Sequence, residues 1–125
     1  MKRPIQQQQE HDLLVQSLVR KLISNYHGNV KADIEQREKP KVICRDDVEL
    51  TPDVTATIQG GDFIFEVETA DSISDEHTAL EWKAFNDYCK EGNRTFVVAV
   101  PEGDSITMAQ SRLNELGVEA EIVGL

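Results

Sequence analysis

A chain of 125 residues with 39% hydrophobic content suits one compact domain and excludes wholesale disorder. No run approaches the roughly 20 apolar residues of a membrane span. The opening MKRPIQQQQ lacks the apolar stretch of a signal peptide, so a cytoplasmic protein is expected.

The net charge of −10 is unevenly spread, with nine Lys/Arg against five Asp/Glu in residues 1–45, and four against eighteen in 46–125. The acidic part repels nucleic acid unless metal ions offset its charge. The first part offers a modest basic surface through Arg20, Lys21, Lys31, Arg37, Lys39, Lys41 and Arg45, with ordinary solvated charge as the alternative. Cys44 and Cys89 have neither metal-like nor redox spacing and are expected as reduced thiols.

Residues 1–9, ending in four glutamines, read as a flexible polar leader, and 10–125 as a single domain. From Glu10 to Tyr26, Leu14, Val15, Leu18, Val19, Leu22 and Ile23 form a helical stripe, with Gly28 suited to a left-handed cap. Val30, Ala32 and Ile34 alternate with charged residues, as in a half-buried strand. A charged turn follows over 36–40, then a short extended segment, Lys41 to Arg45, and a loop over 46–49.

Thr51 to Ile58 and Phe63 to Thr69 read as two strands joined by the hairpin signal Gln59-Gly60-Gly61-Asp62. The second strand opens with Phe63-Ile64-Phe65, apolar on both faces, so it is expected to be central. Asp75 is placed to cap a helix to about Lys90, with Ala79, Trp82, Phe85, Tyr88 and Cys89 as its buried stripe. Phe96 to Val100 is an interior strand by its unbroken apolar run. Asp104 or Ser105 caps a third helix ending at Gly117, and Val118 to Val123 is a last strand. The predicted order is α-β-β-β-α-β-α-β, an antiparallel meander followed by α/β crossovers. It implies an α/β fold with a mixed β-sheet flanked by helices.

Glu66 and Glu68 lie two residues apart on one strand, so both side chains leave the same face. Folding the hairpin symmetrically about Gly60-Gly61 sets Asp53 opposite or nearly opposite Glu68, and crowds three carboxylates at one end. Like charges at cross-strand distance repel, and a hard divalent cation would reconcile them.

Thr51-Pro52-Asp53-Val54, twelve intervening residues, then Glu66-Val67-Glu68-Thr69 resembles the motif of the PD-(D/E)xK nuclease superfamily, which includes restriction endonucleases and Holliday-junction resolvases. The resemblance covers roughly residues 10–100. It implies a restriction-endonuclease-like fold and a metal-dependent phosphodiesterase acting on DNA. Asp53 and Glu66 would then hold Mg²⁺ or Mn²⁺ with the Val67 carbonyl as a neutral ligand, and Glu10 would stand where the superfamily often has a further acid. Glu10 is alternatively a helix N-terminal carboxylate favoured by the macrodipole.

Glu68 occupies the family's lysine position, where it would orient the attacking water or bind a second ion. Lys83, on the following helix, is the candidate for a migrated lysine, or else a solvated helix residue. Arg20, Lys21, Lys31, Arg45 and His77 are the candidate DNA contacts, His77 being alternatively an ordinary surface histidine. Cutting two strands favours a homodimer. The alternative function is a catalytically inactive nuclease-fold module for protein or nucleic-acid binding.

Overall fold

The computed structural model describes residues 4–26, 29–45 and 47–125. Helix α1 (Ile5–Asn25) is followed by β1 (Asn29–Ala32), β2 (Ile43–Arg45), β3 (Val48–Leu50), β4 (Val54–Ile58) and β5 (Gly61–Val67). Then come α2 (Glu76–Glu91), β6 (Arg94–Val100), α3 (Asp104–Leu116) and β7 (Glu121–Gly124). Five strands form one mixed sheet in the order β1-β4-β5-β6-β7. Neighbours β1, β4 and β5 pair antiparallel, whereas β5, β6 and β7 pair parallel. The mixed α/β architecture follows from an antiparallel hairpin feeding two helical crossovers.

Alternation along the strands sorts their side chains to two faces. Val54, Ala56, Phe65, Val67, Val97 and Ala99 pack with Val15, Leu18, Val19 and Leu22 of α1. Ile64, Phe96, Val98 and Val100 pack on the other face with Trp82 and Phe85 of α2 and Ala109 and Leu113 of α3. Burial on both faces explains why β6 is apolar from Phe96 to Val100 and why β5, paired on both sides, opens apolar on both faces.

Several boundaries differ from the sequence reading. The order gains a separate two-stranded ribbon, β2-β3, where an extended segment and a loop were expected. Ile43 drives it, because that side chain is buried in the core on the α2 face. Helix α1 begins at Ile5, so residues 5–9 of the expected leader are helical, consistent with the good helix propensity of glutamine. Its expected cap at Gly28 lies outside the described residues, as does Asp46 in the expected loop. Asp104 is the first residue of α3 rather than its cap, and Gly103 precedes it with no side-chain bond. Asp75 does cap α2, accepting from the His77 N–H at 2.8 Å, and Gly117 closes α3 in the left-handed conformation.

The decisive detail is the hairpin register. Ile58 faces Gly61, so the turn is Gln59-Gly60, with φ of 51° and 81°. Two successive positive φ values match the twist of a two-residue hairpin. The register pairs Val54 with Phe65, so the chain brings Glu66 rather than Glu68 level with Asp53. A shift of two residues keeps every side chain on its expected face while changing its partner.

Candidate functional site

Asp53 and Glu66 meet at the open end of the β4–β5 hairpin. The Asp53 backbone N–H donates to Glu66 Oε2 at 3.1 Å, and the Val67 N–H donates to Asp53 Oδ2 at 2.8 Å. The Asp53 carbonyl accepts from the Asp33 N–H at 2.9 Å, which anchors this residue to the chain leaving β1. Pro52, having no N–H to donate, stands just before the strand begins. The carboxylates are thereby held by main-chain bonds from both strands.

Helix α1 adds the third side chain. His11 is buried, and its Nε2 lies 3.1 Å from Asp53 Oδ1 while its Nδ1 lies 3.2 Å from Asp12 Oδ1. Glu10, its neighbour in sequence, is exposed, because one step of about 100° around a helix carries a side chain off the buried face. The α1 residue that reaches the site is therefore His11, not Glu10. A polar residue next to the apolar stripe, at the i−4 position from Val15, was the available signal in the sequence.

The electrostatics separate the two acids. Burial alone would raise Asp53, but contact with and charge from His11, then bonds from Glu66 and Val67, outweigh it and hold the carboxyl below its ordinary range. Glu66 goes the other way: burial pushes it well up, reinforced by the charge of and hydrogen bond to Asp53, then by the charges of Glu68 and Glu81. The two acids are thus pushed in opposite directions, and Glu66 is the harder of the pair to ionise.

Glu68 does not join them as a third ligand on an equal footing. Its Oε1 accepts the Ser72 hydroxyl at 2.7 Å and its Oε2 accepts the Trp82 indole N–H at 3.1 Å, in a site only 2% exposed. It binds the loop after β5 and the helix α2 to the strand end. Among the described residues, no group of three His, Cys, Asp or Glu side chains is arranged to hold a metal ion. The Gln59-Gly60 turn moves the register by two, so Glu66 rather than Glu68 lies opposite Asp53, while Glu68, whose charge reaches Glu66, has its two oxygens engaged by Ser72 and Trp82.

The remaining candidates are dispersed. Lys83 is exposed beside the buried Trp82, and its ammonium belongs to the solvated side of α2. His77 is exposed near the start of α2, with Nε2 4.0 Å from Glu81 Oε1. Lys31 pairs with Glu38 at 3.0 Å and Arg45 with Glu91 at 2.6 Å. Lys21 Nζ donates to the Gly124 carbonyl at 3.5 Å, and Arg20 is exposed on α1. These five candidate DNA contacts do not line one pocket. Cys44 is exposed and Cys89 buried, both as free thiols, and burial pushes Cys89 up to about 11.

Comparison with known proteins returns no match, whether to a family model, a curated protein or a solved structure. No helix among the described residues is long and apolar enough to cross a membrane.

Proposed function

We propose that this chain is a PD-(D/E)xK-like phosphodiesterase of the cytoplasm, acting on DNA through one divalent cation bound by Asp53 and Glu66. The observation that carries the reading is the junction of these two carboxyls across the hairpin, with Glu66 Oε2 3.1 Å from the Asp53 nitrogen. Two hard oxygen donors fit Mg²⁺ or Mn²⁺, because Mg²⁺ is ordinarily held by one or two carboxylates with water and substrate phosphate completing its shell. The Val67 carbonyl is the neutral ligand the resemblance implies. When bound, the cation supplies polarisation of the phosphate and a more acidic water.

The chain's own groups prepare this. The Val67 N–H and His11 fix the Asp53 carboxylate, as outer contacts commonly orient a metal ligand. Glu66, whose ionisation burial disfavours, must be ionised to serve as a ligand, so binding is coupled to pH. Glu68 supports the site from beneath by tying Trp82 and Ser72 to the strand. Two copies of the chain would present one site to each strand of a duplex.

A second reading, an inactive nuclease-fold module, is favoured by one observation: the residue at the motif's lysine position has both carboxylate oxygens engaged inside the fold. Incubation of supercoiled, branched and single-stranded DNA with Mg²⁺ or Mn²⁺ separates the two. The phosphodiesterase reading expects nicking that Asp53→Ala and Glu66→Ala each abolish. Cation binding without turnover on any substrate assigns the inactive module instead.

A further inference from the structure

A second concave site lies on the same sheet face as Glu66, towards the turn end of the hairpin. It is a groove of about 260 Å³ between strands β1, β4 and β5 and the β2 segment. Lys31, Lys41 and Arg94 border it, together with Thr55, Thr57 and Asn29. Register explains the gathering: Lys31 faces Thr55 and Asn29 faces Thr57 across the β1–β4 ladder, while Arg94 faces Asp62 across β5–β6. Val30, Ala32, Val54 and Ala56 go to the opposite core, so alternation sends these polar partners into the groove.

Three cations converging in a chain of net charge −10 call for a reason. The Arg94 guanidinium is preorganised. Its Nη1 donates to the Tyr88 carbonyl at 3.1 Å, its carbon stacks 4.0 Å from the Tyr88 ring centre, and a Cβ at Gly92 would collide with it. Among the described residues Lys31 pairs with Glu38, itself exposed, and such a pair yields readily to a stronger anion. Lys41 is exposed and has no ion pair among the described residues. Among the described residues that line the groove Asp62 is the one acid; it accepts the Thr57 hydroxyl at 3.1 Å and faces Arg94 across the ladder. Three cations thus stand against two acids, Asp62 and the Glu38 paired with Lys31.

We infer that this groove binds a phosphate group, with Lys31, Lys41 and Arg94 supplying charge and Thr55 and Asn29 supplying hydrogen bonds. Its volume is small against the 300–1,000 Å³ usual for drug-sized ligands, which suits a single phosphate rather than a whole nucleoside. Thr55 and Thr57 lie two and four residues along β4 from Asp53, about 7–13 Å at the usual strand rise. A phosphate held here would belong to a position a few nucleotides removed from one held at Asp53–Glu66. The groove stands or falls independently of cation binding, which is read at other residues.

Amide NMR titration of the full chain in metal-free, low-salt buffer tests this, with inorganic phosphate in one arm and a six-nucleotide single-stranded oligodeoxynucleotide in the other. Saturable shifts at Asn29, Lys31, Thr55 and Thr57 are expected. Lys41→Ala should weaken binding by about threefold or more, Arg94→Lys should weaken it by loss of the planar fork, and Arg37→Ala should leave it unchanged. Tighter binding of the oligonucleotide at these amides assigns the phosphate to a nucleic-acid backbone, whereas binding of inorganic phosphate alone assigns it to a free phosphate. The inference is overturned if neither ligand moves these amides, or if Lys41→Ala binds as the wild type does.

Discussion

Glu66 is 4% exposed and shares its surroundings with an ionised Asp53, so keeping it ionised in the fold is costly. Its pKa is raised on folding, and the sign follows. The stability it contributes is fully present below its ordinary carboxylate pKa and is lost as pH rises through the raised value. Asp53, lowered on folding, has the opposite dependence and favours the fold until pH falls through its depressed value. Glu66→Gln resembles the protonated acid at every pH. The melting temperature of this variant, measured without divalent ions, should therefore exceed that of the wild type by a margin that grows from pH 5 to pH 8. A margin independent of pH would mean that Glu66 titrates normally.

Glu68 gives the complementary test at the same scale. Its carboxylate accepts from two donors, Ser72 and Trp82, while glutamine offers one oxygen and one NH₂ group. Glu68→Gln should leave a buried donor without an acceptor and cost about 1–3 kcal/mol of stability, read from the denaturant midpoint. Cation binding should be retained, since glutamine keeps the packing and leaves Asp53 and Glu66 in place, while loss of the Glu68 charge eases the ionisation of Glu66. Unchanged stability with lost cation binding would make Glu68 a ligand after all.

At the level of elements, the β4–β5 hairpin sets which acids meet. Gly60 has φ of +81°, and a β-branched residue is strained there by about 1–2 kcal/mol. Gly60→Val should lower stability by that amount and weaken cation binding as well, because Asp53 and Glu66 depend on the register. Amide spectra of the hairpin check the first effect and cation titration the second. Much of the fold was legible at this scale, because burial writes period 2 into β1, β4 and β5 and period 3.6 into the helices. The Pro-Asp and Glu-x-Glu pair was legible too, since face depends only on parity. The cross-strand partner was not: Gln59-Gly60 and Gly60-Gly61 are both competent turns, and choosing between them exchanges Glu66 for Glu68 opposite Asp53. His11 was hidden for another reason. Only the placement of α1 over the sheet shows that a polar residue on its buried side faces a carboxylate rather than solvent.

For the molecule as a whole, the sheet divides the work between its two faces. The α1 face buries an apolar core and delivers His11 to Asp53, while the other face carries Glu66, the Trp82–Glu68 bond and the basic groove. A net charge of −10 repels a polyanion, a repulsion that bound cations offset and salt screens. The claim that joins these features is that Asp53 and Glu66 form one divalent-cation site. Calorimetric titration with Mn²⁺ at several pH values measures it directly. The account predicts one ion per chain, with affinity rising with pH as the Glu66 proton is displaced. Binding should be abolished by Asp53→Ala and by Glu66→Ala and retained by Glu68→Gln. Absence of binding in the wild type, or undiminished binding in Asp53→Ala, would contradict it.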